Sequence, residues 1–218
     1  MSSAAERLRI IHDGIAAAAR LARRDPAEVQ LIAVSKGRST EEIEGLIEAG
    51  QRDFGENRVQ EALGKWPELL ARHPDVRLHE IGRLQSNKAA EAVKLFDVIH
   101  SLDRASLLDA LVKESEKARR FPTVYVQVNI GAEEQKGGCP IDEVGSLVEA
   151  VRASPLPLAG LMCIPPVDVE PAPYFALLAK LARRHDVTGL SMGMSADYKE
   201  AVMLGATAVR VGTALFEA

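Results

Sequence analysis

Leu31-Ile32-Ala33-Val34-Ser35-Lys36 is an apolar run that ends on an amine, and Gly37 with Arg38-Ser39-Thr40-Glu41-Glu42 follows at once. The run reads as a buried β-strand, the glycine and polar residues as a loop, and Ser39-Thr40-Glu41-Glu42 as a helix start. Lys36 is thereby placed at the carboxyl end of a strand, where α/β folds carry their chemistry. Burial of that amine would favour its neutral form, which attacks carbonyls to make a Schiff base. The plain alternative is a lysine that closes a strand and extends its ammonium into water.

The same pattern recurs along the chain. Strands are read at 29–35, about 52–54, 77–81, 97–100, 123–129, 157–162, 187–191 and 207–211. Helices are read near 40–49, 57–71, 86–93, 104–118, 141–152, 171–185 and 196–204. An additional helix over about 4–24 opens the chain, with Leu8, Ile11, Ile15 and Leu21 broadly along one face, and Asp25-Pro26 ends it. This β/α alternation has two physical solutions, a doubly wound open sheet or a closed (β/α)₈ barrel. Eight units favour the barrel, in a chain that is short for one. No linker or low-complexity segment divides residues 1–218, so one domain is expected. Pro165-Pro166 with Pro171 and Pro173 reads as a loop after the sixth strand.

Composition narrows the function classes. A net charge of −4 over 218 residues argues against a dedicated nucleic-acid binder. No apolar run approaches membrane-spanning length, and the amino terminus has no signal-peptide pattern, so a cytoplasmic location is expected. Cys139 and Cys163 are far apart and lack metal-ligand spacing; reduced thiols are expected. The five histidines form no His-x-x-x-His pair, so no metal site is expected.

In a closed barrel the first and last strands are neighbours. The last reads Ala208-Val209-Arg210-Val211-Gly212-Thr213, which brings Arg210 beside Lys36. Two cations close together favour a neutral or anion-paired lysine. Gly212 lets backbone N–H groups approach an anion, and the Thr213 hydroxyl adds a donor. The preceding loop, Ser191-Met192-Gly193-Met194-Ser195-Ala196-Asp197, places Ser195 as the N-cap of a helix beginning at Ala196, where free N–H groups attract an anion. Barrels commonly bind phosphate at the loops after strands seven and eight. A phosphate there, with a Schiff-base lysine on strand one, points to pyridoxal 5′-phosphate. Asn57, after Phe54-Gly55-Glu56, either hydrogen-bonds the cofactor or caps the next helix. His79 reads as a helix-entry residue. Asn129 and Lys136 bracket a loop, at the rim or in solvent. Trp66 reads as packing between helix and barrel, and Cys163 as core-lining.

Val34-Ser35-Lys36, Phe54-Gly55-Glu56-Asn57 with Gln60-Glu61, His79-x-Ile81-Gly82-x-Leu84-Gln85-x-Asn87-Lys88, His100-Ser101-Leu102-Asp103, Val126-Gln127-Val128-Asn129, Ser191-Met192-Gly193-Met194-Ser195-x-Asp197 and Val209-Arg210-x-Gly212-Thr213 follow one pattern, in order, over nearly the whole chain. It resembles the pyridoxal phosphate homeostasis protein family. The resemblance implies a fold like the N-terminal barrel of alanine racemase and pyridoxal phosphate held as a Schiff base on Lys36. It further implies that Arg210 faces the pyridine nitrogen, that Ser195, Gly212 and Thr213 hold the phosphate in a loop formed with Gly193 and Met194, and that Asn57 lies beside the ring. The sequence departs from the family pattern in three places. Arg58 stands where an aromatic residue often follows Gly-Glu-Asn, Glu80 stands where a bulky residue is common, and the chain ends Phe216-Glu217-Ala218 without the usual Phe-Gly.

The resemblance implies buffering or delivery of the cofactor, with apoenzymes that use pyridoxal phosphate as possible recipients, rather than turnover. Two alternatives stand beside it. A racemase of this barrel type carries a further β-domain that supplies a tyrosine acid/base; the chain stops at Ala218, and such a domain is not expected. A cofactor-free aldolase would use Lys36 alone, which the placement of Arg210 does not fit. With no coiled coil or apolar stripe in view, a monomer is expected.

Overall fold

The computed structural model describes residues 2–133 and 135–217. Its strands are β1 (Gln30–Val34), β2 (Asp53–Glu56), β3 (Arg77–Glu80), β4 (Val98–Leu102), β5 (Thr123–Val128), β6 (Leu158–Cys163), β7 (Gly189–Ser191) and β8 (Ala208–Val211). All pair in parallel with their sequence neighbours, and β8 pairs with β1, closing a barrel. The helices are α1 (Ala4–Leu21), α2 (Thr40–Glu48), α3 (Val59–Arg72), α4 (Ala89–Leu95), α5 (Ala105–Ala118), α6 (Val144–Arg152), α7 (Ala172–Arg184), α8 (Tyr198–Met203) and α9 (Thr213–Phe216). Closure leaves no open sheet edge.

Alternation along the strands sorts side chains into two regions. On β8, Val209 and Val211 join the apolar shell between barrel and helices, together with Val124, Val126 and Val128 of β5. Arg210 and Tyr125 fall on the opposite face, inside the barrel, where Tyr125 packs with Val98 and Met162. The shell is the main core. Trp66 of α3 is fully buried in it, its ring 5.2 Å from Phe54, as expected of a helix-to-barrel contact. Cys163 is likewise buried in the shell, and burial pushes its thiol up to about 12.

Side-chain caps set the starts of α1 and α2. Ser39 and Glu42 form a reciprocal cap at the start of α2: the Ser39 N–H donates to Glu42 (2.9 Å) and the Glu42 N–H to the Ser39 hydroxyl (3.3 Å). Ser3 caps α1 in the same sense, accepting from the Glu6 N–H at 3.1 Å. Two expectations shift. The segment read as a helix from 86 begins as a 3₁₀ turn, Ser86–Lys88, before α4. The helix read from 196 begins at Tyr198, and its N-cap is Asp197 rather than Ser195. The Asp197 carboxylate accepts the Met194 N–H at 2.6 Å, so the chain makes one more turn before the helix starts.

Candidate functional site

The carboxyl ends of β1, β7 and β8 meet at one side of the rim. Ile32 pairs with Arg210 across the β1–β8 seam. Above that pair lies a cavity of about 310 Å³ lined by Lys36, Met194, Ser195, Arg210, Gly212 and Thr213, with Val34, Arg38 and Ala196. Six of the eight residues singled out from sequence therefore surround one space. Gly193 lies directly behind it, its carbonyl accepting the Arg210 N–H at 2.9 Å. Its φ is +93°, and a Cβ there would stand 2.5 Å from Ala201, so glycine alone fits the turn. Asn57 is not brought to this cavity; it lines a neighbouring one beyond β2.

Lys36 departs from the expected buried strand end. β1 stops at Val34, and Lys36 is exposed at the mouth of the cavity. Its freedom is limited by its neighbours. The Ser35 hydroxyl donates to Glu56 at 2.6 Å, and Lys65 donates to the Ser35 carbonyl at 2.8 Å while pairing with Glu56 at 2.9 Å. Glu56 also accepts the Trp66 indole N–H at 2.9 Å. On the other side the Gly37 N–H donates to Glu61 at 2.5 Å. The backbone is pinned immediately before and after the lysine, which fixes where its side chain leaves the rim. Glu56, Glu61 and Lys65 do this work; their charges at strand-end and helix-start positions were the available sequence signal.

Ser195 does not cap a helix. Its hydroxyl instead accepts the Gly212 N–H at 3.2 Å, tying the loop after β7 to the loop after β8. The two loops expected to share an anion are thus already joined. Thr213 opens α9, exposed beside them.

Arg210 is 3% exposed and has no carboxylate within ion-pair distance among the described residues. Burial pulls its guanidinium below the ordinary value, although it stays charged. It donates to Ser191 Oγ at 2.5 Å and to the Cys163 carbonyl at 2.9 Å. Ser191 Oγ lies 2.9 Å from His100 Nδ1, His100 Nε2 lies 3.0 Å from His79 Nδ1, and His79 Nε2 lies 3.0 Å from Asp53 Oδ1. An arginine can only donate and an ionised carboxylate can only accept. Burial disfavours the charged form of both rings, and for neutral rings the Asp53 end sets the direction: His79 donates to Asp53, His100 to His79 and Ser191 to His100, each ring carrying its proton on Nε2. The electrostatics agree. Burial lowers His79, against the pull of Asp53; burial, with the charge of Arg210, lowers His100 well below its ordinary value. Burial also pushes Asp53 up, but hydrogen bonds from His79 and Gln30 and the charge of Arg77 outweigh it and hold the carboxyl low. Tyr125 stacks on His100 at 4.5 Å.

The expectation for His79 is corrected by this chain: it lies in β3, inside the barrel, not at a helix entry. Asn129 and Lys136 take no part in the cavity. Asn129 closes its own loop on Glu133, and Lys136 donates to the Pro165 carbonyl at 3.1 Å.

Known proteins match this arrangement over its whole length. Residues 11–218 match the family model "Alanine racemase, N-terminal domain". The pyridoxal phosphate homeostasis protein of Pseudomonas aeruginosa is 42% identical over 226 residues, covering 100% of this chain and 96% of that protein. The homonymous protein of Escherichia coli K12 is 37% identical over 232 residues, covering 100% and 97%. PipY of Synechococcus elongatus, solved with PLP bound, superposes with a TM-score of 0.84 at 38% identity, over 98% of this chain and 99% of that one. Alanine racemase from Corynebacterium glutamicum shares the fold at 16% identity, with a TM-score of 0.67. The chain belongs to the pyridoxal phosphate homeostasis protein family, built on the barrel of the alanine racemase N-terminal domain.

Proposed function

We propose that this protein is a single-domain carrier that binds pyridoxal 5′-phosphate in the cavity between Lys36 and Arg210 and buffers or delivers it, without turning over amino acids. The observation that carries the reading is Arg210. A buried guanidinium without an ion pair is costly unless an anionic or electron-rich partner joins it. Pyridoxal phosphate supplies both a ring nitrogen and a phosphate, and the residues present fit it. Lys36 stands at the cavity mouth to condense with the aldehyde, losing water and forming a Schiff base. Ser195, Gly212 and Thr213 offer hydroxyls and backbone groups to the phosphate, in the loop held by Gly193 and Met194. Asn57 lines the neighbouring cavity and is left out of the proposed site. PipY, at 38% identity, was solved with PLP bound, which supports the same ligand here.

The carrier reading over a racemase is supported by the tyrosines. Tyr125 is stacked inside the barrel on His100, Tyr198 is buried against α1, and neither Tyr125, Tyr174 nor Tyr198 lines the cavity. Proton exchange on both faces of a substrate needs a positioned group on each. Relatives are named homeostasis proteins, which is compatible. No helix among the described residues is long and apolar enough to cross a membrane, and a cytoplasmic monomer that hands cofactor to apoenzymes suits an open rim.

The test is an absorbance spectrum of purified protein, then borohydride reduction and peptide mass mapping. A phosphopyridoxyl group on Lys36 is expected, and its loss in Lys36→Ala. A colourless protein after incubation with pyridoxal phosphate, or label mainly on another lysine, refutes the site. Chiral analysis after incubation with L- and D-alanine separates carrier from racemase: conversion at about one turnover per second or faster makes it an enzyme.

A further inference from the structure

A second cavity, of about 760 Å³, is larger than the one beside Lys36. It lies on the carboxyl rim over the loops that follow β2, β3 and β4, and four cations line it: Arg58, Arg83, Lys88 and Arg104. Two are already neutralised. Lys88 pairs with Glu91 at 3.2 Å and Arg104 with Asp103 at 2.5 Å. Arg58 and Arg83 are exposed and make no hydrogen bond or ion pair among the described residues. The cavity thus carries two arginines without an ion-pair partner among the described residues.

Glu80 supplies an independent sign of a ligand. It lines the same cavity, is 1% exposed, and its Oε1 has no hydrogen-bond partner. Its other oxygen accepts from the Ser101 hydroxyl at 3.1 Å. Burial, reinforced by Glu56 on the neighbouring strand, pushes this carboxyl well above the usual range, so it favours the protonated state and offers an O–H rather than a charge. A buried polar atom left unsatisfied is costly, and a ligand that accepts from it removes the cost.

We infer that the cavity over β2–β4 is a second binding site, for a small organic dianion that Arg58 and Arg83 clamp and the Glu80 carboxyl anchors. Guanidinium forks accept carboxylate and phosphate groups alike in two-pronged bonds, so dicarboxylates and organic phosphate esters share the required chemistry. The volume exceeds what inorganic phosphate fills. Neither arginine touches the Lys36 cavity, and the inference does not rest on the cofactor assignment.

Calorimetric titration of the full chain tests it, with succinate and glycerol 3-phosphate as dianionic probes, acetate as a monoanion and inorganic phosphate as the small control. On protein already loaded with pyridoxal phosphate, which fills the cradle beside Lys36, one succinate or one glycerol 3-phosphate per chain is expected; which of the two binds more tightly identifies the source class. Acetate and inorganic phosphate should bind at least about tenfold more weakly. Arg58→Ala with Arg83→Ala should weaken the organic dianion by about tenfold or more, while Lys36→Ala leaves it unchanged. Both arginines are exposed, so the double variant keeps its fold, which circular dichroism checks. No saturable binding of either dianion below about 10 mM, equal binding of acetate, unchanged binding in the double variant, or loss of binding in Lys36→Ala would each overturn the inference.

Discussion

Glu80→Gln should make the protein more stable, and increasingly so as pH rises. The side chain keeps its shape and its bond to Ser101, and only the ability to ionise is removed. In the folded protein burial raises the Glu80 carboxyl well above 4.5, its ordinary value, and Glu56 stands directly opposite in the β2–β3 register. In the unfolded chain the group ionises normally. The sign follows from proton counting. Above pH 4.5 the unfolded state has lost the proton that the folded state keeps, so wild-type stability falls with rising pH on account of this residue. The slope is about 1.4 kcal/mol per pH unit, and it continues until the folded carboxyl itself ionises. The gain of the variant over wild type accumulates at that slope up to the pH at which the folded carboxyl ionises. The remaining titrating groups are common to both chains, so the difference isolates Glu80. Urea unfolding of both proteins at half-unit steps from pH 5 to 8 measures it, and the pH at which the difference levels off reports the folded value. A difference that stays flat, or that shrinks as pH rises, refutes the placement of a protonated acid at this position.

Three further outcomes are expected. Ser191→Ala removes an acceptor from buried Arg210 and a donor to His100, and should cost roughly 2–4 kcal/mol in urea unfolding; a change under about 0.5 kcal/mol would mean that the interior chain is not formed. Gly193→Ala forces a side chain into φ +93° and to within 2.5 Å of Ala201, so a loss of about 1–3 kcal/mol and weaker pyridoxal phosphate binding are expected by thermal unfolding and fluorescence titration; wild-type values would show that the loop relaxes freely. Thr213→Val, at nearly constant volume on an exposed helix start, should weaken pyridoxal phosphate binding about ten- to a hundredfold while leaving unfolding unchanged; undiminished affinity would move the phosphate elsewhere.

The barrel was legible because strands buried on both sides, such as Leu31–Val34 and Leu158–Cys163, read as continuous apolar runs whatever their neighbours are. The Lys36–Arg210 seam followed from closure alone. What escaped the sequence depends on partners across space. His79 and His100 each look like isolated histidines, and only the barrel interior brings their rings 3.0 Å apart. Ser195 was read as a cap because a hydroxyl precedes a helical stretch, yet Asp197, two residues later, wins that role and leaves Ser195 to bind Gly212. Lys36 was expected to be buried because strand ends are fuzzy by a residue or two, and here that margin separates the core from solvent. Asn57 fits either side of β2 by sequence, and the loop geometry turns it toward the second cavity.

The fixed direction of the bonds from Arg210 to Asp53 has an electrostatic consequence for the whole molecule. A positive group sits near the carboxyl rim of the barrel and a negative one at the opposite end, with four aligned bonds between them. In a β/α barrel every helix that follows a strand also begins at the carboxyl rim, so the positive ends of their dipoles point the same way. The axis and its jacket are therefore polarised in one sense. In a protein whose formal charge is −4, the carboxyl rim is thus the face where a buried guanidinium and the positive helix ends favour anions.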